Sequence, residues 1–261
     1  MAEPTVRLGG MALQNGVLVH GPTSWACAIR GEDGKLHVAS GRKPVLAREL
    51  RRRAPLLRGP LALADALALL PVVRRALPEA RLAFERPAVL AGIALTAVGA
   101  RALRARSGSP AREAAAAVLG ALPAVLALRG TELAAYHGAE HVSIGTYERG
   151  GDRAPREHPR CGSQLVAPLL AATLAAHVLA ARLPRGWRRI GRAAATMLAV
   201  GGAVELHAWA ARNPGRALAA LVARPGLELQ RRFSTVEPSQ AQLEVADAAR
   251  DACLELELAS A

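Results

Sequence analysis

Residues 136–162, YHGAEHVSIGTYERGGDRAPREHPRCG, hold three of the chain's seven histidines and one of its three cysteines. In a helix, His137 and His141 lie one turn apart on a common face, where both imidazoles can reach one cation. Glu140 sits beside them. H-x-x-E-H is the reverse of the H-E-x-x-H zinc-peptidase helix, which supplies two imidazole ligands and a carboxylate free to take a proton from metal-activated water. HPRC then adds His158 and Cys161, a borderline and a soft donor spaced closely enough to complete a tetrahedral shell. Zinc is the divalent ion expected for such a mixed set. Two other readings of the same residues stay open: a solvated or capping histidine pair, and a proton relay.

The elements that must position these side chains are mostly apolar. The chain has 261 residues, 51% hydrophobic but only 3% aromatic, so its apolar bulk is Ala, Leu and Val. Its formal charge of +13 is nearly all arginine, because Lys35 and Lys43 are the only lysines. Basic residues are not interleaved with aromatics and no nucleic-acid motif is visible, so no nucleic-acid partner is expected. Arginines instead flank apolar runs, as at a surface of anionic lipid. Cys27, Cys161 and Cys253 are odd in number and widely separated, which implies no disulfide framework and a reducing surrounding. MAEPTVRLGG lacks the apolar centre of a secretory signal.

Residues 1–45 read as a small β-rich element, with EDGK as a hairpin turn. Residues 46–84 hold an amphipathic or interfacial helix over 58–73. Four apolar runs follow, at 87–100, 114–128, 165–181 and 193–211, each near the length of about 20 residues that a membrane span needs. They are apolar all round and edged by arginines such as Arg101, Arg153 and Arg182, which predicts a mostly α polytopic membrane bundle of about four spans over 85–212. A soluble alanine-rich bundle is the alternative. Within the last run Glu205 and His207 are ionisable groups at membrane depth, hence either further metal ligands or a relay, or groups that reach water at a helix end. Residues 213–261 read as a C-terminal cytoplasmic helical tail, with a turn at Pro225–Gly226 and a helix starting near Ser239.

YHGAEH and HPRCG, together with GGMALQNGVLVHGP near the start and PGLELQRRFSTVEPSQAQLEVA near the end, resemble the YqhQ-like family, bacterial multi-pass membrane proteins of unknown function described as predicted metal-dependent enzymes. The resemblance implies a bacterial inner-membrane location and a metal site on the two His-containing motifs. The chain departs from the family at Asn15 and His20, where the pattern has a glutamate and an arginine.

The expectation is therefore a membrane enzyme of hydrolytic type, in the sense that water is the nucleophile, with Glu140 as the catalytic base, His137, His141, His158 and Cys161 as metal ligands, and Glu205 and His207 as additional candidates. Membrane lipid is an expected partner, the metal loop is expected to face the cytoplasm, and the substrate is undefined. The rivals are a non-catalytic scaffold or assembly factor with a structural zinc site, and a transporter that uses Glu205 and His207 as a relay.

Overall fold

The computed structural model describes residues 6–44, 53, 58–105, 111–112, 115–116, 118–120, 122–123 and 131–259. Four short strands, β1 (Gly9–Leu13), β2 (Gly16–His20), β3 (Ser24–Arg30) and β4 (Leu36–Arg42), form an antiparallel meander in the order β1-β2-β3-β4. The EDGK hairpin forms where expected, with Gly34 at φ 74° in the turn after β3. GVLVH and SWACAIR are continuous apolar runs, and the strands they form are buried on both faces.

Each face has its own cover. Val17, Val19, Ala26 and Ala28 point to one side and pack against Tyr136, Ala139 and Val142 of α3 (Thr131–Glu148) and Val245, Ala249 and Cys253 of α7 (Gln240–Leu258). Leu18, Trp25, Cys27 and Ile29 point to the other side and pack against Leu69, Leu70 and Val73 of α1 (Arg58–Ala76). The helix expected over 58–73 is therefore part of a core, under the sheet. Three layers result, α1, then the sheet, then α3 with α7.

The remaining helices are α2 (Pro87–Ala105), the antiparallel pair α4 (Val166–Ala181) and α5 (Arg188–Arg212), and α6 (Ala217–Leu229), which runs into a π-helical turn at Gln230–Ser234. The four-span bundle is not what the chain forms. Among the described residues one helix, Gly162–Ala180, is long and apolar enough to cross a membrane. Pro87–Leu103 is apolar but shorter. Most of 114–128 lies outside the described residues. In the 193–211 run, glycines, Glu205 and His207 dilute the apolarity below that of a span. The C-terminal segment is not a tail either. Its final helix completes the core, because behind the acidic face of Glu244 and Asp251 lies a second stripe, Leu243, Ala246, Ala249 and Cys253, that the sheet buries. The turn expected at Pro225–Gly226 is helical, held by packing of α6 on the 3-10 turn Gly162–Leu165.

Two side chains fix α7. Ser239 caps its start by accepting from Gln242 N in a capping box. Glu257, near its end, accepts from Thr23 N at 2.7 Å, Ser24 N at 2.6 Å and Thr23 Oγ1 at 2.9 Å, which satisfies the turn between β2 and β3. Burial alone would raise the Glu257 pKa, but these donors hold it below the ordinary 4.5. A carboxyl with a depressed folded-state pKa stabilises the fold above its unfolded value, and that contribution disappears as pH falls through the folded value. Glu257→Ala should cost about 1.5–3 kcal/mol in urea unfolding at pH 7. The difference from wild type should shrink below pH 4.5, and a constant difference across that range would contradict the assignment.

Candidate metal centre

His137, Glu140 and His141 lie on α3, where the helical repeat brings the two imidazole rings to a centroid separation of 4.4 Å. Gly138, between them, lets the chain after the π turn run against the helix. Val236 N donates to Ala134 O at 3.0 Å, and a Cβ on residue 138 would collide with Val236 O. That close approach brings Ser234 O to His137, whose Nδ1 donates to it at 2.7 Å. His141 Nδ1 donates at 2.7 Å to Arg156 O in the segment after α3. Carbonyl oxygens only accept, so both Nδ1 atoms carry the proton and both Nε2 atoms keep a lone pair.

Cys161 completes the group. Its thiol donates to His137 Nε2 at 3.3 Å, and one donor atom from each of His137, His141 and Cys161 lies within 4.8 Å of the others. Two oriented imidazoles and a thiol at this separation fit a divalent ion that prefers nitrogen and sulfur. Burial holds His141 well below its usual 6.5, so its ring is neutral and free to ligate. Burial, then the Glu140 carboxylate, pushes the Cys161 thiol up to about 11; a bound cation reverses that preference and draws out the thiolate.

His158 belongs to the centre in a different way. Its Nδ1 accepts from Arg160 N at 3.3 Å and its Nε2 donates to Glu148 Oε2 at 3.2 Å, so both ring nitrogens are engaged, although the ring is 5.6 Å from that of His141. Burial lowers its pKa to about 4. Arg160 also pairs with Glu148. The spacing H-x-x-C suggested a second ligand; His158 lies outside the group of three donors that converge, and its ring engages Glu148 and Arg160 N beside them. Glu205 and His207 are half-buried on α5 and do not line the cavity that faces the trio.

That cavity measures about 650 Å³ and is bordered by β1, α3, the Arg160–Ser163 segment and the first turns of α4. Glu140 projects into it beside Gly10, where a Cβ would come within 2.5 Å of Glu140 Oε1, so a side chain at residue 10 would displace the carboxyl from this position. Burial raises Glu140 to about 7, partly offset by His137.

Several of these residues were not singled out from the sequence. Gln230 pins the Cys161 loop, accepting from His158 N at 2.7 Å and donating to His158 O at 3.2 Å and Ser163 Oγ at 2.7 Å. Gln230 and Ser234 both lie in QRRFS, within the late block of the family resemblance, and π turns recur at functional sites. Asn15 bonds Arg30 O, Glu79 O and Arg81 N away from the cavity, so that departure is structural, whereas His20 lines the cavity.

Residues 131–256 match the family described as Protein of unknown function (DUF1385), and this domain contains both histidine motifs and the π turn. No curated protein and no solved structure matches the chain.

Metal analysis after dialysis should find about one zinc per chain in the wild type and less than about a tenth of that in His137→Ala, His141→Ala and Cys161→Ala. Gln230→Ala and His158→Ala should keep the site with affinity reduced about 10–100-fold, the usual effect of losing a partner that orients a ligand. Loss of zinc from His158→Ala as complete as from His141→Ala would make His158 a ligand after all.

Proposed function

We propose that this protein is a metal-dependent hydrolase attached to a membrane, with one divalent ion, zinc by the donor chemistry, held by His137, His141 and Cys161. The observation that carries this reading is the convergence of three donors on a cavity that also receives the Glu140 carboxyl. Structural zinc sites close on four protein donors, while catalytic ones keep three and leave a position for water or substrate. The remaining donor of the H-x-x-C pair, His158, spends both ring nitrogens on other partners, which weighs against a closed zinc knot built on that pair. The relay reading has less support, since Glu205 and His207 do not line the cavity.

When bound, the ion supplies a Lewis acid that polarises a carbonyl or phosphoryl oxygen and acidifies water. Glu140, raised by burial to about 7, suits a group that takes a proton from the nucleophile and returns it to the leaving group near neutral pH. The apolar walls limit competing water. Membrane attachment rests on the Gly162–Ala180 helix, which begins at the residue after Cys161 and so places the centre at one end of the apolar segment. The bacterial inner-membrane setting is what the resemblance to the YqhQ-like family implies; the DUF1385 match covers both histidine motifs and is compatible with that resemblance.

Zinc-loaded protein in detergent should hydrolyse at least one of a panel of ester, phosphate-ester and peptide substrates. Glu140→Gln should keep its zinc and lose about 10²–10⁴-fold in rate, the range for removing a general base. No turnover by the wild type, or equal turnover by Glu140→Gln, contradicts the proposal.

A further inference from the structure

We infer that the substrate of this site is an extended, apolar peptide segment that docks by adding a strand to the free edge of β1, which brings one of its amide carbonyls over His137, Glu140 and His141. The inference rests on the hydrolase reading and names its substrate class.

The argument starts from hydrogen-bond parity. Arg30 N donates to Asn15 O at 2.8 Å, and Asn15 is followed by the β2 pairing partners of β3, so odd-numbered residues of β2 bond to β3 and even-numbered ones to β1. With Leu13 opposite Gly16 and Met11 opposite Leu18, the odd-numbered residues of β1 spend their main-chain groups on β2. Gly10 and Ala12 therefore turn N–H and C=O outward. Gln14, next in that series, donates through its main chain to Arg81 O at 2.9 Å, so this edge already accepts a neighbouring segment at one end. Among the described residues β1 is an edge strand, and both Gly10 and Ala12 line the cavity.

An unpaired edge is a template for another strand, and proteins ordinarily cover or blunt it. Here the edge strand carries Gly10, the residue beside the Glu140 carboxyl, so an added strand would pass next to that group. A strand laid along it would run past the metal ligands. Its side chains would alternate between the Leu82 and Phe84 surface and the Val166, Leu169 and Leu170 wall of α4, all apolar. Among the described residues the only arginine lining the cavity, Arg160, is already paired with Glu148, so the described lining does not call for an anionic headgroup.

The chemistry balances with water alone. The water oxygen bonds to the amide carbon, the C–N bond breaks, and one water proton passes through Glu140 to the departing amine, with no change of oxidation state.

The test uses the full-length protein in detergent and a dansylated hexapeptide of alternating leucine and alanine, followed by fluorescence anisotropy. We expect binding that weakens at least tenfold when alternate peptide amides are N-methylated, which removes strand pairing and leaves the side chains unchanged. Ala12→Pro, which deletes an outward N–H and no hairpin bond, should weaken binding similarly while zinc content holds. The metal-free His137→Ala protein should still bind within about threefold. With zinc-loaded wild type, mass spectrometry in ¹⁸O-water should show one labelled oxygen in the new carboxyl terminus. Binding indifferent to N-methylation, or abolished by competing lysophospholipid but not by unlabelled peptide, overturns the strand proposal and leaves the hydrolase reading intact. Methylation-sensitive binding without cleavage, with another substrate class turned over, overturns the peptide as substrate; with nothing turned over, it is the hydrolase reading that fails.

Discussion

Two main-chain carbonyls, Ser234 O and Arg156 O, each take the Nδ1 proton of one imidazole, and the candidate centre depends on that arrangement. With those protons committed, His137 and His141 present Nε2 lone pairs toward the Cys161 thiol. Much of the surrounding structure serves to hold the two carbonyls in place. The π turn delivers Ser234, Gly138 lets the following segment lie against α3, and Arg156 reaches back to Thr235 O at 3.0 Å. Because a ring held at one nitrogen has little freedom left at the other, little reorganisation is required when a cation binds.

The sheet contributes in a second way. Gly10 leaves room for the Glu140 carboxyl in the cavity, and it lies on β1, which among the described residues is an edge strand. The region matched at residues 131–256 contains the three candidate donors, but the strand that shapes the cavity lies outside it, and the last helix of that region is buried against the sheet. Ligands and cavity are thus parts of one core.

The closeness of His137 and His141 was legible in the sequence because four-residue spacing on a helix maps directly onto one face. So were the EDGK turn and the Ser239 cap, which are local signals with local geometry. What sequence could not reveal depended on partners far along the chain. His158 looked like a ligand because spacing says nothing about Glu148 claiming its ring. The apolar runs suggested several spans because each comes near the length a span needs. Pro87–Leu103 is too short, however, glycines, Glu205 and His207 dilute 193–211, and among the described residues Gly162–Ala180 is the one that meets both length and apolarity. The last helix looked like a solvated tail because Glu244 and Asp251 masked the stripe through Ala246, Ala249 and Cys253. The continuous runs in β2 and β3 already required covers on both faces, and recognising that would have predicted the role of α7.

The central claim is that one ion is held by two imidazoles and one thiolate. Zinc K-edge X-ray absorption on the zinc-loaded protein reads it directly. The account predicts one sulfur at about 2.3 Å, nitrogen or oxygen donors at about 2.0–2.1 Å, and outer-shell scattering from two imidazole rings. A first shell without sulfur, or scattering from fewer than two imidazoles, would contradict it.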